Sequence, residues 1–260
     1  MTPAATGSPV PSGPLLRTEG LSCDFGGLRA VDGVSLSLAP LGVHSLIGPN
    51  AAGKTTFFNL VSGEIAPTAG RVHFQGRDVT GLPSHRLAHV GIARCFQRNN
   101  LFPKLTVQEN VWVAAFARAR PGALGHLKRI ARYGRLRERV REIVEDVGLA
   151  HKLDAPAETL SHGQQRMLEV AVALAGEPAL LLLDEPTQGL APEATQQMTR
   201  LLERLARRYT ILLIEHKMHV VMAISRRISV MHFGQIIAEG PPEEIRQNAA
   251  VQRAYLGLAG

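Results

Sequence analysis

The sequence contains little cysteine, few aromatic residues and no long apolar run. Its 260 residues include only Cys23 and Cys95 as cysteines, too few for a disulfide framework, so reducing conditions fit best. No apolar run approaches the roughly 18 residues that suggest a membrane span. The start, MTPAATGSPVPSGP, lacks the basic residues and apolar stretch of a secretion signal. We therefore expect a soluble, cytoplasmic protein.

Positive charge is concentrated in one segment. The formal net charge is +7, and the segment Arg118 to Glu142 holds nine Lys or Arg against two acids. That segment alone accounts for the excess, and most of it is the basic stretch 118–141. Such a stretch suits nucleic acid or an anionic membrane surface, and a solvated helical face is an equally good interpretation.

Strand-like and helix-like segments alternate along the chain after a tail at 1–13 that is rich in Pro, Ser and Gly and reads as flexible. This alternation predicts an α/β fold with a mostly parallel sheet covered on both faces. The segment 98–175 is mainly helical in pattern and reads as an insertion. We expect one domain over 14–260, with its core at 14–97 and 176–240 and a helical segment at 241–260.

The individual elements follow from periodicity and breakers. The predicted helices are 54–61, 163–175 and 193–207. The predicted strands are 15–25, 30–38, 43–47, 71–74, 179–183, 210–214, 229–233 and 235–238.

A phosphate-binding loop is the strongest single motif. The segment GPNAAGKTT matches G-x4-G-K-T between a predicted strand and a predicted helix, which is the context that confirms this motif. Loop N–H groups and the start of the helix would face phosphate oxygens. Lys54 would bridge the β- and γ-phosphates, and the Thr55 hydroxyl would hold Mg²⁺. The residues assigned to the loop are Gly48, Pro49, Asn50, Ala51, Ala52, Gly53, Lys54, Thr55 and Thr56.

Two carboxylates end the apolar strand in LLLLDEP. An isolated Asp-Glu pair is usually a cap or a surface pair, but here it follows a phosphate loop and a buried strand. Such a pair would lie at the sheet edge where ligands of open α/β sheets bind. Asp184 is predicted to hold Mg²⁺ and Glu185 to polarise the attacking water.

The string LSHGQQR lies just before that strand. Alone, Ser161 and Gly163 would open an ordinary helix, with Ser161 as its N-cap. Together with the other two motifs, the string resembles the signature of the ATP-binding cassette (ABC) ATPases. The resemblance implies a P-loop ATPase core with an N-terminal antiparallel β subdomain and a helical insertion. It also implies that Ser161, Gly163 and Gln164 contact ATP held by a second copy or by a related ATPase chain.

Further residues take roles from the same resemblance. Gln97 occupies the position of the Q-loop glutamine, which contacts Mg²⁺ and water, and His216 that of the switch histidine. Phe25 lies where the family stacks a ring on adenine, although a phenylalanine packed in the core would look the same in the sequence. Ala51 replaces the usual glycine, which would cost on the order of 1 kcal/mol if φ is positive there. The segment Gly189–Pro192 departs from the family's D-loop and lacks its acid.

Several longer strings resemble the LivG-type ATPases of branched-chain amino acid importers. They are FGGLRAVDGVSL, ARCFQ, NLFPKLTVQENV, LLIEHKMHVVM and GPPEEIRQNAAVQRAYLG. The resemblance implies transmembrane permease subunits, an extracytoplasmic solute-binding protein and a peripheral place on the cytoplasmic face of the inner membrane. ATPases of urea or amide importers and of the lipopolysaccharide exporter look similar. A soluble ABC ATPase acting on nucleic acid or ribosomes is the more distant alternative, and we expect no nucleic-acid partner.

Overall fold

The computed structural model describes residues 13–95, 101–119 and 129–256. Gln97 lies outside these ranges, as do most of the predicted tail and part of the basic stretch. The predicted boundaries between tail, core and insertion stay predictions.

The N-terminal part forms an antiparallel sheet. Its strands are β1 (Leu16–Phe25), β2 (Leu28–Leu38), β4 (Ala69–Phe74) and β5 (Arg77–Asp78), in the order β2-β1-β4-β5. Side chains of β2 alternate between buried and exposed along most of its length, as expected for a sheet with one face on the core. Phe25 is the last residue of β1 and lies at the end of the β1–β2 hairpin, next to its turn.

The main sheet has six strands and is mostly parallel. They are β3 (Gly42–Ile47), β6 (Ile92–Cys95), β7 (Leu180–Asp184), β8 (Thr210–Ile214), β9 (Ser225–His232) and β10 (Gln235–Gly240), in the order β10-β9-β3-β8-β7-β6. Among the described strand pairs of this six-stranded sheet, only β9–β10 is antiparallel. The predicted fold class is confirmed.

Apolar packing covers both faces of this sheet, which explains the purely apolar sequence of β7. Leu181 and Leu183 belong to one buried cluster, whereas Leu180 and Leu182 belong to the cluster on the opposite face. Successive strand side chains point to opposite faces, so only a strand buried on both sides is apolar throughout.

The helices of the described residues include the predicted helix 54–61 with the same ends, and the predicted helices 163–175 and 193–207 with small shifts at their ends. They are α1 (Lys54–Val61), α2 (Ser84–Val90), α3 (Val107–Ala119), α4 (Arg129–Asp146), α5 (His162–Ala175), α6 (Pro192–Leu205), α7 (Met218–Ile224), α8 (Pro242–Gln247) and α9 (Ala249–Leu256). The described part of the basic stretch lies mostly on α4, and its role stays a prediction. Among the described helices, none combines the length and apolarity needed to cross a bilayer.

The topology brings the predicted motifs to one edge of the sheet. The phosphate loop follows β3, Asp184 ends β7 and His216 comes shortly after β8. Because β3, β7 and β8 run parallel, their carboxyl ends meet at the same edge, which is where open α/β sheets bind ligands.

Candidate nucleotide-binding site

The phosphate loop contains glycines at two positions where no other residue fits. A Cβ atom on Gly48 would lie 2.1 Å from the Met231 carbonyl oxygen, and one on Gly53 would lie 2.2 Å from the Ala30 carbonyl oxygen. Gly53 is also in the left-handed region at φ 99° and precedes the first residue of α1. These contacts pack the loop closely against β2 and the end of β9.

Ala51 adopts φ 61°, so this position does require the left-handed conformation that glycine takes without strain. The sequence-based expectation of a strained alanine is therefore met. This strain should destabilise the observed loop conformation by on the order of 1 kcal/mol relative to glycine.

The Lys54 side chain is buried inside the loop. Its Nζ donates to the carbonyl oxygens of Gly48 and Pro49, both at 2.8 Å. Burial lowers the pKa of the Lys54 ammonium, and the nearby carboxylates of Glu185 and Asp184 oppose that shift. The ammonium is thus held between the loop carbonyls and the two acids.

Asp184 is a buried carboxylate with one paired oxygen and one unpaired oxygen. Its Oδ2 accepts from Arg94 Nη2 at 3.2 Å, whereas Oδ1 has no hydrogen-bond partner among the described residues. Burial raises the Asp184 pKa, and Arg94 opposes that rise. A buried, unpaired carboxylate oxygen is a suitable ligand for a hard cation such as Mg²⁺.

The role of Arg94 could not be found from sequence. Besides Asp184, its guanidinium donates to Asn59 Oδ1 at 2.6 Å and to Ser62 Oγ at 3.0 Å, both on or next to α1. Arg94 therefore joins β6 to β7 and to α1 and the residue after it. The sequence offered one hint of this role, a charged residue in the segment 92–95, but that segment was not predicted to be a strand.

Glu185 and His216 form a close pair. His216 Nε2 lies 2.5 Å from Glu185 Oε1, which excludes the interpretation of His216 as an unengaged polar residue at a strand end. Glu185 has φ 52°, an unusual conformation for a non-glycine residue, and such positions cluster at functional sites. The pair can hold a water molecule and accept its proton.

Lys54, Glu185 and His216 line one cleft with a volume of about 630 Å³, whereas Asp184 and Arg94 are not among its lining residues. Phe25 is 51% exposed and lies in this cleft, so it is not a core residue. Phe233, for which sequence reasoning gave no role, lies in the same cleft. The lining residues are Phe25, Leu28, Arg29, Ala30, the segment 50–56, Glu185, His216, Phe233 and Gly234.

The predicted signature residues do not line this cleft. Ser161 is the N-cap of α5, as predicted. Gln164 N–H donates to Ser161 Oγ at 3.3 Å, and Ser161 N–H donates to Gln164 Oε1 at 3.0 Å. This is a reciprocal capping box. A Cβ on Gly163 would meet Ala194 Cβ at 2.9 Å, so this glycine also permits the close approach of α5 to α6.

The segment after Glu185 is fixed by Lys217 and Glu215. Lys217 Nζ donates to the Thr187 carbonyl at 3.0 Å and to Thr195 Oγ1 at 2.9 Å. Thr187 Oγ1 donates to the buried Glu215 carboxylate at 2.6 Å. Pro192 lies in the first turn of α6, as predicted. The loop that carries Gly189 is thereby tied to the residues flanking His216.

Comparison with known proteins places this site in a family. The family described as "ABC transporter" matches residues 31–188. The LivG protein of Escherichia coli strain K12, described as a high-affinity branched-chain amino acid transport ATP-binding protein, is 42% identical over 95% of this chain and 100% of its own length. The chain belongs to the ABC transporter ATPases.

Other similarities agree with this family assignment. The family described as "Branched-chain amino acid ATP-binding cassette transporter" matches residues 235–259. The BraF protein of Pseudomonas aeruginosa is 41% identical over 95% of the chain and 100% of its own length. MJ1267, an ATP-binding cassette solved in its ADP conformation, superposes with a TM-score of 0.83 at 31% identity, covering 95% of this chain and 100% of that chain. As an ABC ATPase, the protein binds and hydrolyses nucleotide.

Proposed function

We propose that this ABC ATPase drives the import of branched-chain or related amino acids. The observation that carries the proposal is the C-terminal match at 235–259 to the branched-chain amino acid family, since the nucleotide site alone is common to all ABC systems. LivG and BraF, which align over the whole of their own lengths, carry the same description of cargo. Transport of labelled leucine by the ATPase reconstituted with its permease subunits and a solute-binding protein tests this cargo, and a system that moves only urea or amides would refute it.

The proposed site binds ATP with Mg²⁺. The Thr55 hydroxyl, Asp184 through its unpaired oxygen and Gln97 would hold the metal, which would offset phosphate charge. Lys54 would contact the β- and γ-phosphates, and Phe25 would stack on the base. Glu185 would accept a proton from the attacking water while His216 orients that water.

A second ATPase chain completes each site in this proposal. Because Ser161, Gly163 and Gln164 lie outside the chain's own cleft, their helix start is available for the γ-phosphate held by a partner. A related cassette, MJ0796, was solved as a dimer in a post-hydrolysis state with ADP and Pi, and it superposes on this chain with a TM-score of 0.72 at 25% identity. Closure would pull on permease subunits at the cytoplasmic face of the membrane.

Substitution of Glu185 tests the assigned chemistry. Glu185→Gln keeps the shape and hydrogen-bond acceptor but removes the base, so hydrolysis should fall by roughly 10²- to 10⁴-fold while ATP binding and ATP-dependent dimerisation persist. Glu177→Gln is the matched control, because Glu177 is an exposed glutamate that also has positive φ, at 50°. Hydrolysis at the wild-type rate in Glu185→Gln would show that another group is the base.

A further inference from the structure

Phe233 combines two unfavourable features that call for a functional explanation. Its side chain is 80% exposed, and its backbone has φ 44°, in the left-handed region that bulky residues rarely adopt. A turn residue with no other task would be glycine, asparagine or aspartate. The one ring contact of Phe233 among the described residues is with His232, at 4.2 Å between centroids.

The hairpin that carries Phe233 is fixed to the nucleotide site on two sides. Gly234 N–H donates to the Ala52 carbonyl of the phosphate loop at 3.0 Å. The Gly234 carbonyl accepts from Asp32 N–H at 2.9 Å, and the Gln235 amide donates to Asp32 Oδ2 at 2.6 Å. Phe233 is therefore held in a defined position next to the loop.

Away from the phosphate loop, the cleft is lined mainly by apolar and aromatic residues. Beyond the loop, Glu185 and His216, the described lining residues are Phe25, Leu28, Arg29, Ala30, Phe233 and Gly234. Arg29 is the single charged side chain in this group, and its guanidinium is bonded to Asp24 and Asp32, both at 3.0 Å. This part of the cleft offers two exposed aromatic rings and, among the described residues, no carboxylate or amide side chain to read the edge of a base.

We propose that Phe233 is a second aromatic contact for the nucleotide base, acting together with Phe25, and that the site holds the base by its faces. This inference rests on the nucleotide site proposed above. Because every base has a π-face, stacking contributes affinity while discriminating little between bases. The site should therefore bind adenine and guanine nucleotides with similar affinity, and the strain at Phe233 is retained because the hairpin places the ring where the base lies.

Calorimetric titration of the full chain with ADP, GDP and pyrophosphate tests this proposal. Phe233→Ala should weaken ADP binding about tenfold and leave pyrophosphate binding within twofold of wild type. Phe233→Tyr should retain ADP affinity, and Phe233→Leu should lose most of it because a stacking ring is required. Wild-type affinities for ADP and GDP should agree within about tenfold.

Leu41→Ala is the matched control, because Leu41 is another exposed apolar residue at positive φ, 62°, and does not line the cleft. It should change neither affinity. Unchanged ADP binding in Phe233→Ala, equal losses of ADP and pyrophosphate, or a preference above about 100-fold for one base would each overturn the inference. Failure of the wild-type chain to bind ADP would instead refute the nucleotide site itself.

Discussion

Removal of Arg94 should destabilise the protein strongly. The Asp184 side chain is fully buried and Arg94 is 10% exposed, so Arg94→Met would remove the counter-charge that is hydrogen-bonded to a buried carboxylate and leave only the more weakly interacting Lys54 ammonium nearby. Breaking a buried ion pair from one side costs roughly 3–5 kcal/mol. Asn59 and Ser62 would lose their donors in the same variant. For a chain of this size, the loss corresponds to a fall in melting temperature of roughly 6–20 °C.

The assay is thermal unfolding in EDTA without nucleotide, so that no bound cation compensates for the carboxylate. Arg246→Met is the matched control, because Arg246 pairs with Glu243 at 2.8 Å with side chains that are 65% and 75% exposed. Exposed pairs contribute roughly 0–1 kcal/mol, so this variant should melt close to wild type.

A double variant separates charge from packing. Combining Arg94→Met with Asp184→Asn removes the buried charge, and it should recover a large part of the stability lost in Arg94→Met alone. The reasoning would be refuted if Arg94→Met melted within about 2 °C of Arg246→Met. It would also be refuted if the double variant lost more stability than the two single variants lose when their losses are added.

Three further predictions follow from particular residues. Burial lowers the pKa of His44 from 6.5 to about 4, so between these pH values the unfolded chain binds a proton that the folded chain does not. About 3 kcal/mol of unfolding free energy should therefore be lost as pH falls from 6.5 to 4. Denaturant titrations of His44→Gln should show an unfolding free energy that depends less on pH over this range. Gly53→Ala should abolish ADP binding in calorimetry because its Cβ has no room, whereas Gly76→Ala, with φ 74° and open space, should cost only about 1 kcal/mol and bind normally. Ser161→Ala should lose about 1 kcal/mol of stability as a cap and also ATP-dependent dimerisation by light scattering; Thr106→Ala, which removes the equivalent cap of α3, should lose stability alone, and equal dimerisation of the two variants would contradict the assigned role.

Sequence reasoning predicted the parts of the site that are contiguous in the chain. Helix 54–61 and strand 210–214 have the predicted ends, because the phosphate motif and a short run of apolar residues after Thr210 mark where these two elements begin and end. The positions of Asp184 and His216 follow from parallel strands ending at one edge. Local sequence was sufficient wherever one segment supplies both the chemistry and the backbone that positions it.

Contacts between distant segments could not be predicted. Arg94 and Asp184 are 90 residues apart, and β6, which carries Arg94, is a four-residue strand with no alternating pattern. Helices α2 and α7 were missed because seven residues contain too few turns for a clear period. Strand β9 begins directly at the end of α7, at Ser225 rather than Ser229. The tertiary fold, and not local periodicity, determines these elements.

The reciprocal bonds between Ser161 and Gln164 have a consequence for assembly. They cap the first turn of α5 within a single molecule, without any contact from a second molecule. In the proposed dimer, the surface that would contact the partner's nucleotide is thus preorganised, and association would not carry the entropic penalty of ordering that turn. The speed with which two molecules join should then depend on diffusion and orientation rather than on local folding.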